Sequence, residues 1–298
     1  LNPPDFGLLH DYFGAWRDLE DGVVRVLHNL SFVEDPTRVY RAVRFEQRLG
    51  FRISAHTELL IRNAVKMDFP VKVGGKRLLN ELQILLREPE PRRSMERLAV
   101  FDLLKYIHKS IVWDKRLDDL FDQTRRVLDW YELLYRNEAC EPWLVYFLAL
   151  TTALSAEELR QTMARLAVPS RLAVRVDHSL AKVREAGLEL IPGAQEEAGA
   201  ASRLHHALAA VMMEVLLHVM ACKGDGPVRR HLASYITVLR DERPLLTGRD
   251  LLGMGVSPGP GLGRIMGALL DARLDGTVQS RDDEMDLVRR LAQPVEEV

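Results

Sequence analysis

The sequence predicts an all-α, multi-helix chain with one short β segment near its N-terminus. Three observations predict it. Apolar residues recur at helical spacing in successive stretches, a run of β-branched residues occurs at 22–27, and Pro and Gly punctuate the chain between helical stretches. At 298 residues the chain exceeds the usual single-domain size, so two or three packed units with a large core are expected. Cys140 and Cys222 cannot frame a disulfide scaffold in a chain this long and match no metal-site spacing, which points to a reducing compartment. The longest apolar run, 143–154, is too short to span a bilayer. With no signal-peptide pattern visible, the cytoplasm is the expected location.

The formal net charge of −2 is unevenly placed. Residues 34–97 hold fourteen Lys or Arg against nine Asp or Glu, a net +5 that leaves −7 on the rest. Such a concentration suits a triphosphate or an RNA backbone better than an acidic or membrane partner.

In chain order, residues 1–30 are the least helical. Asn2, Pro3, Pro4 and Asp5 punctuate, Asp11, Tyr12, Phe13 and Gly14 read as a turn, and 22–27 reads as a strand with nothing to pair with. The next stretch organises the chain. Asp35 is a good N-cap, Pro36 suits the first helical position and Gly50 suits the stop, so one helix of about four turns is expected. At roughly 100° per residue, Arg41, Arg44 and Arg48 project within about a 60° arc. Ala42, Phe45 and Leu49 share a neighbouring stripe beside Val39 and Val43, which the helix is expected to bury. Periodicity alone describes a surface helix with a solvated arginine face.

The residue pattern says more. Glu34, Asp35 and Arg38, followed by Arg41, Arg44 and Phe45, spell E-D-x-x-R and R-x-x-R-F. This resembles the base-recognition motif of class II tRNA nucleotidyltransferases: CCA-adding enzymes, A-adding enzymes and related bacterial poly(A) polymerases. The resemblance implies that Asp35 and Arg38 hydrogen-bond the edge of incoming ATP or CTP. It places Arg41 with them in the nucleotide site and gives Glu34 and Arg44 supporting roles. A carboxylate accepts from an exocyclic amino group and a guanidinium donates to ring nitrogen or carbonyl, so side chains can replace a template base. Arg41, Arg44 and Arg48 are each open to approaching phosphates or pairing within the neck.

Asp11, Phe13, Gly14, Asp18 and Leu19, followed by a strand with Arg25, resemble the motif that closes the family's catalytic head domain, with Ala15 where a second glycine is usual. Residues 1–30 are thus expected to be the β remnant of an α/β nucleotidyltransferase head. The family's D-x-D pair, which holds Mg2+, does not occur in this sequence. Asp118-Asp119 and Asp282-Asp283 read as solvated charges. No catalytic residue and no metal ligand is assigned to the chain. The Mg2+ ligands and a head domain are expected upstream in the same polypeptide, and the chain alone is expected to be inactive.

Ser54 can cap a helix through about Met67. Gly74 and Gly75 open an apolar helix to Leu86, whose Arg77, Glu81 and Leu85 match a family R-x-x-x-E-x-x-x-L motif implied to buttress the recognition helix. Arg77 and Glu81 are spaced for an i,i+4 pair worth about 0.3–0.5 kcal/mol, and Glu81 is also a candidate to orient an arginine of that helix. The Pro-rich stretch 88–91 separates an expected neck, 31–90, from a helical body, 91–200. Helices are expected over 92–108, 115–136, 142–152, 156–166, 170–185 and 200–221, with Trp130, Trp143, Tyr146 and Phe147 in the core.

In the expected tail, 201–298, Thr247 and Asp250 have capping-box-like spacing. A Pro-Gly loop then leads into a helix ending near Asp275 and Gly276. The stretch resembles the L-T-G-x-D-L and P-G-P segment of the same family, whose end helps hold tRNA. Gly259, Gly261 and Arg264 are therefore carried over as RNA-backbone contacts. Some relatives carry a metal-dependent hydrolase domain with an H…HD…D set. His10-Asp11 has no His upstream, His205, His206 and His218 do not recreate that order, and zinc or manganese hydrolysis is not expected.

The sequence is thus expected to be the neck, body and tail of a template-independent nucleotidyltransferase adding A, or CCA, to tRNA 3′ ends. ATP, and CTP in the CCA-adding case, are the implied substrates and tRNA the implied partner. His28-Asn29-Leu30-Ser31-Phe32 and the long C-terminal region resemble the large A-adding type. A poly(A) polymerase and a non-catalytic helical RNA-binding module are the alternatives.

Overall fold

The computed structural model describes residues 10–187 and 199–292. The turn expected at Asn2–Asp5 lies outside the described residues. Among them the chain is helical apart from two short strands, in agreement with the predicted class. It divides into two compact units, residues 1–132 with 136–177, and 133–135 with 178–298.

The first unit begins with α1 (Ala15–Glu20), β1 (Val23–Val24), α2 (Ser31–Glu34), α3 (Arg38–Leu49) and β2 (Arg52–Ile53). The strand expected to be alone has a partner. β1 pairs in parallel with β2, Val23 opposite Arg52 and Val24 opposite Ile53. Two residues are too few to show strand alternation, so β2 leaves no signal in the sequence. Asp18 and Arg25, both read from the N-terminal motif, join in an ion pair at 3.0 Å.

α4 (Ala55–Lys66), α5 (Gly75–Leu86), α6 (Pro91–Val100), α7 (Lys115–Glu132), α8 (Pro142–Leu150) and α9 (Ala156–Arg165) follow. Ser54 caps α4 as expected, accepting from the Thr57 amide. The helix expected over 92–108 stops at Val100. Asp102 turns left-handed at φ 58° and a 3-10 turn, Leu104–Tyr106, completes the segment. Gly75 starts α5 where no other residue fits, because a Cβ there would lie 1.8 Å from the Arg165 carbonyl oxygen.

The unit's core is the shared apolar face of these helices. α3 packs on α5 and α6, and α8 on α5 and α7. Val39, Val43, Leu82, Leu85, Leu98, Val127 and Phe147 are buried. Trp143 and Tyr146 are buried as expected, whereas Trp130 is only half-buried. Within this core Glu46 of α3 receives both the Arg97 guanidinium, at 2.7 and 3.1 Å, and the Ile53 amide, at 3.0 Å. Arg97 also reaches Glu58, so the Glu46–Arg97 pair ties α3, β2, α4 and α6. Asp118 is not simply solvated, since Arg92 bonds it at 2.6 Å.

α10 (Ser170–Glu185) contains the division between the units. The second unit continues with α11 (Ala200–Leu208), α12 (Met213–Lys223), α13 (Pro227–Thr237), α14 (Gly248–Gly253), α15 (Pro260–Leu274) and α16 (Arg281–Ala292). The single helix expected over 200–221 is two, bent by 118°. At the bend the Met212 amide donates to Ser179 Oγ instead of continuing the helix ladder. The capping box at Thr247 and Asp250 forms in both directions. Asp283, read as solvated, accepts from the Gln279 and Ser280 amides and so stabilises the start of α16. No single helix among the described residues is long and apolar enough to cross a membrane.

Candidate nucleotide-binding site

The site is built where α2 turns into α3. Asp35 was expected to cap a helix starting at Pro36, but α3 begins at Arg38, with Thr37 in the N-cap position and no side-chain cap. The Asp35 carboxylate accepts instead from the Thr37 amide, at 3.0 Å, and hydroxyl, at 2.6 Å, which closes a tight Asx-type turn. Arg38 N bonds Asp35 O and Val39 N bonds Pro36 O, so the chain coils more tightly before α geometry sets in. Gly50 ends the helix at φ 66°, as expected.

The buried side of α3 is also different from the expected stripe. Val39, Tyr40, Ala42, Val43 and Glu46 face the core, whereas Phe45 and Leu49 are exposed. The buried side is rotated because Glu46, although charged, is drawn inward by Arg97 and the Ile53 amide.

The structure gathers Asp35, Arg41, Arg44, Arg77 and Glu81 into one electrostatic cluster. Arg77 does not pair with Glu81 one turn along its own helix. It crosses to α3, donating to Asp35 Oδ1 at 2.8 Å. The Thr37 amide and hydroxyl fall on the same oxygen, so Oδ1 carries three donors and Oδ2 carries none among the described residues. Burial by itself would raise the Asp35 pKa. The Thr37 hydrogen bonds and Arg77 outweigh that and hold it below the usual carboxylate value.

Arg38 lies on the first turn of α3. One terminal nitrogen is held by the Ser31 carbonyl, at 3.3 Å, and by Glu34, at 3.5 Å. No other bond engages the guanidinium among the described residues, and its side chain is 39% exposed. Glu34 also lies 3.5 Å from His28. Arg41 is exposed, and Arg48 lies 3.7 Å from Glu88. Burial pushes the Glu81 carboxyl above its usual value against the attraction of Arg44 and Arg41. Glu81 Oε2 and Arg44 Nε are both buried without a hydrogen-bond partner among the described residues.

Sequence reasoning passed over Thr37. The signal available was a hydroxyl residue two places after Asp35, the spacing at which a side chain and a backbone amide reach the same carboxylate. Gly259 is the N-cap of α15 in the second unit, at φ 142°, Gly261 lies in its first turn, and Arg264, exposed, follows just beyond it. A cleft of about 470 Å³ elsewhere in the first unit is lined by Gly75 but by none of the candidate nucleotide- or RNA-binding residues. Its Arg165 is taken up by the Tyr106 and Ile107 carbonyls, and its Lys105 by Asp102. Among the described residues no three His, Cys, Asp or Glu side chains gather as a metal site.

No family model matches the chain. It is 45% identical over 297 residues to an A-adding tRNA nucleotidyltransferase of Geobacter sulfurreducens, an alignment covering 98% of this chain and 33% of that protein. The chain thus spans about a third of that relative's length. Its fold is similar to that of the Thermotoga maritima CCA-adding enzyme complexed with tRNA-CCA, at TM-score 0.72 and 29% identity over 97% of this chain and 69% of that one. It is also similar to a CCA-adding enzyme in complex with ATP, at TM-score 0.74 and 28% identity, covering 100% and 69%.

Proposed function

The chain belongs to the family of class II tRNA nucleotidyltransferases and bacterial poly(A) polymerases, and from that premise we propose that it supplies base selection and RNA holding to an enzyme that adds A to tRNA 3′ ends. The observation that carries this is the asymmetry of Asp35, with Oδ1 saturated and Oδ2 open, beside an Arg38 anchored at one nitrogen. On their Watson–Crick edges adenine and cytosine both present an amino donor next to a ring-nitrogen acceptor. Guanine and uracil present a carbonyl next to an N–H. Asp35 Oδ2 accepts the amino proton and Arg38 donates to the ring nitrogen, which favours ATP and CTP over GTP and UTP. Arg41 stays available to the nucleotide, with Arg44 and Glu81 in supporting roles close to Asp35.

Gly259, Gly261 and Arg264 hold RNA backbone in this scheme, where exposed charge and a helix start suit phosphate and do not read bases. In this reading the carboxylates that would hold Mg2+ lie in a head domain of the same polypeptide, and the enzyme works in the cytoplasm. The chain by itself transfers nothing, because it lacks the D-x-D pair.

The test is nucleotide addition by the full-length protein, with ATP and CTP offered separately to tRNAs ending before CCA and after CC. A joining only the CC-ended tRNA is the expected result. C followed by A makes the enzyme CCA-adding, and a long A tail on varied RNAs makes it a poly(A) polymerase. No addition by a folded full-length protein overturns the enzyme reading and leaves an RNA-binding module.

A further inference from the structure

We propose that Thr37 is a specificity-determining positioning residue, which with Arg77 clamps one carboxylate oxygen of Asp35 so that only the other is offered to a nucleobase. This rests on the base-selection reading above and extends it to two residues that do not themselves meet the base. Thr37 is 3% exposed, and its hydroxyl and amide both donate to Oδ1. Arg77 approaches from α5, bonding Oδ1 at 2.8 Å and the Thr37 hydroxyl at 3.5 Å. Donors from two different elements therefore converge on one atom.

The consequence is directional. The terminal torsion of an Asp side chain is broad, so a free carboxylate swings and exchanges its oxygens. A swinging carboxylate can turn aside from a carbonyl that would otherwise meet its lone pairs, and discrimination against guanine and uracil falls. Clamped at Oδ1, the group cannot turn aside. An amino donor at Oδ2 is satisfied, and a carbonyl there meets uncompensated negative charge. Arg77 faces Asp35 across the turn and Thr37 sits beneath it, so removal of either loosens the same torsion.

The experiment compares Thr37→Val, Thr37→Ser, Arg77→Gln and Asp35→Asn in the full-length enzyme. It measures kcat/KM for ATP, CTP, GTP and UTP on a CC-ended tRNA, and the thermal midpoint of each variant. Thr37→Val is expected to lower discrimination of ATP over GTP by about tenfold, in keeping with the loss of one charge-assisted hydrogen bond, while Thr37→Ser keeps it. Arg77→Gln, at an exposed residue, shifts it the same way with the midpoint unchanged, and decides the matter if Thr37→Val does not fold. Asp35→Asn separates the two levels. If it abolishes discrimination while Thr37→Val and Arg77→Gln retain the parent ratio, the clamp is overturned and base selection by Asp35 stands. If Asp35→Asn leaves the ratio untouched, Asp35 does not read the base and both fall.

Discussion

Among the described residues Arg38 is tied at one nitrogen only, which leaves its other donors available to the base it is proposed to read. Arg38→Ala is expected to cost about 1–3 kcal/mol of discrimination between cognate and non-cognate bases, with the thermal midpoint unchanged. Equal selectivity in the variant, measured as the ratio of ATP to GTP incorporation, would remove Arg38 from the role. His218 carries a second prediction. Burial depresses its pKa to about 4, so the unfolded chain takes up the proton first as pH falls. The stability it contributes is full above the ordinary value of about 6.5 and is lost as pH falls toward 4, by up to about 1.4 kcal/mol per pH unit. His218→Gln is expected to flatten that slope in urea midpoints taken from pH 7 to 4. At this scale, the motif that contains Asp35 and Arg38 was legible because its members are close in sequence, and their part in base selection is the proposal made above. The bond from Arg77 to Asp35 was not, because its partners are 42 residues apart and local spacing offered Glu81 instead.

Helix boundaries were legible where a capping group or a glycine marks them at Ser54, Gly50 and Thr247, but not at Asp35, whose carboxylate closes a turn instead. They were missed where a tertiary bond does the stopping, as at Met212, whose amide is taken by Ser179. Gly75 illustrates the same divide. It was read as a helix opener, yet its more demanding constraint is the Arg165 carbonyl packed against it. Gly75→Ala is expected to destabilise the first unit by roughly 1–3 kcal/mol through overpacking, despite the better helix propensity of Ala, and a gain in urea midpoint would contradict that. In the second unit, hydrogen bonds from the Thr247 side chain and amide, then Arg281, hold Asp250 down to about 2. Its stabilisation is therefore present above about pH 4 and lost as pH falls through about 2. The melting-temperature gap between the parent and Asp250→Asn should be open at pH 7 and close between pH 4 and 2.

Over the whole molecule, each unit has a core of its own. In the second, Leu246, Leu251, Val256, Leu269 and Val288 form a buried cluster joined by partly buried residues such as Ile265 and Met285. Leu251→Ala should cost about 2–5 kcal/mol while leaving ATP selectivity unchanged, because Asp35, Arg38 and Arg77 lie in the first unit. An altered ATP to GTP ratio would refute that separation. The positive balance of residues 34–97 falls in the first unit with the candidate nucleotide site. The all-α class, most helix positions and the family of the chain followed from one dimension alone, because helical periodicity, caps and a motif within two turns are local properties. The side of α3 that is buried, the pairing of β1 with β2 and the single open oxygen of Asp35 were decided only in three dimensions. Each depends on groups far apart in sequence competing for the same few hydrogen-bond acceptors and the same apolar space, and a linear pattern cannot rank those competitors.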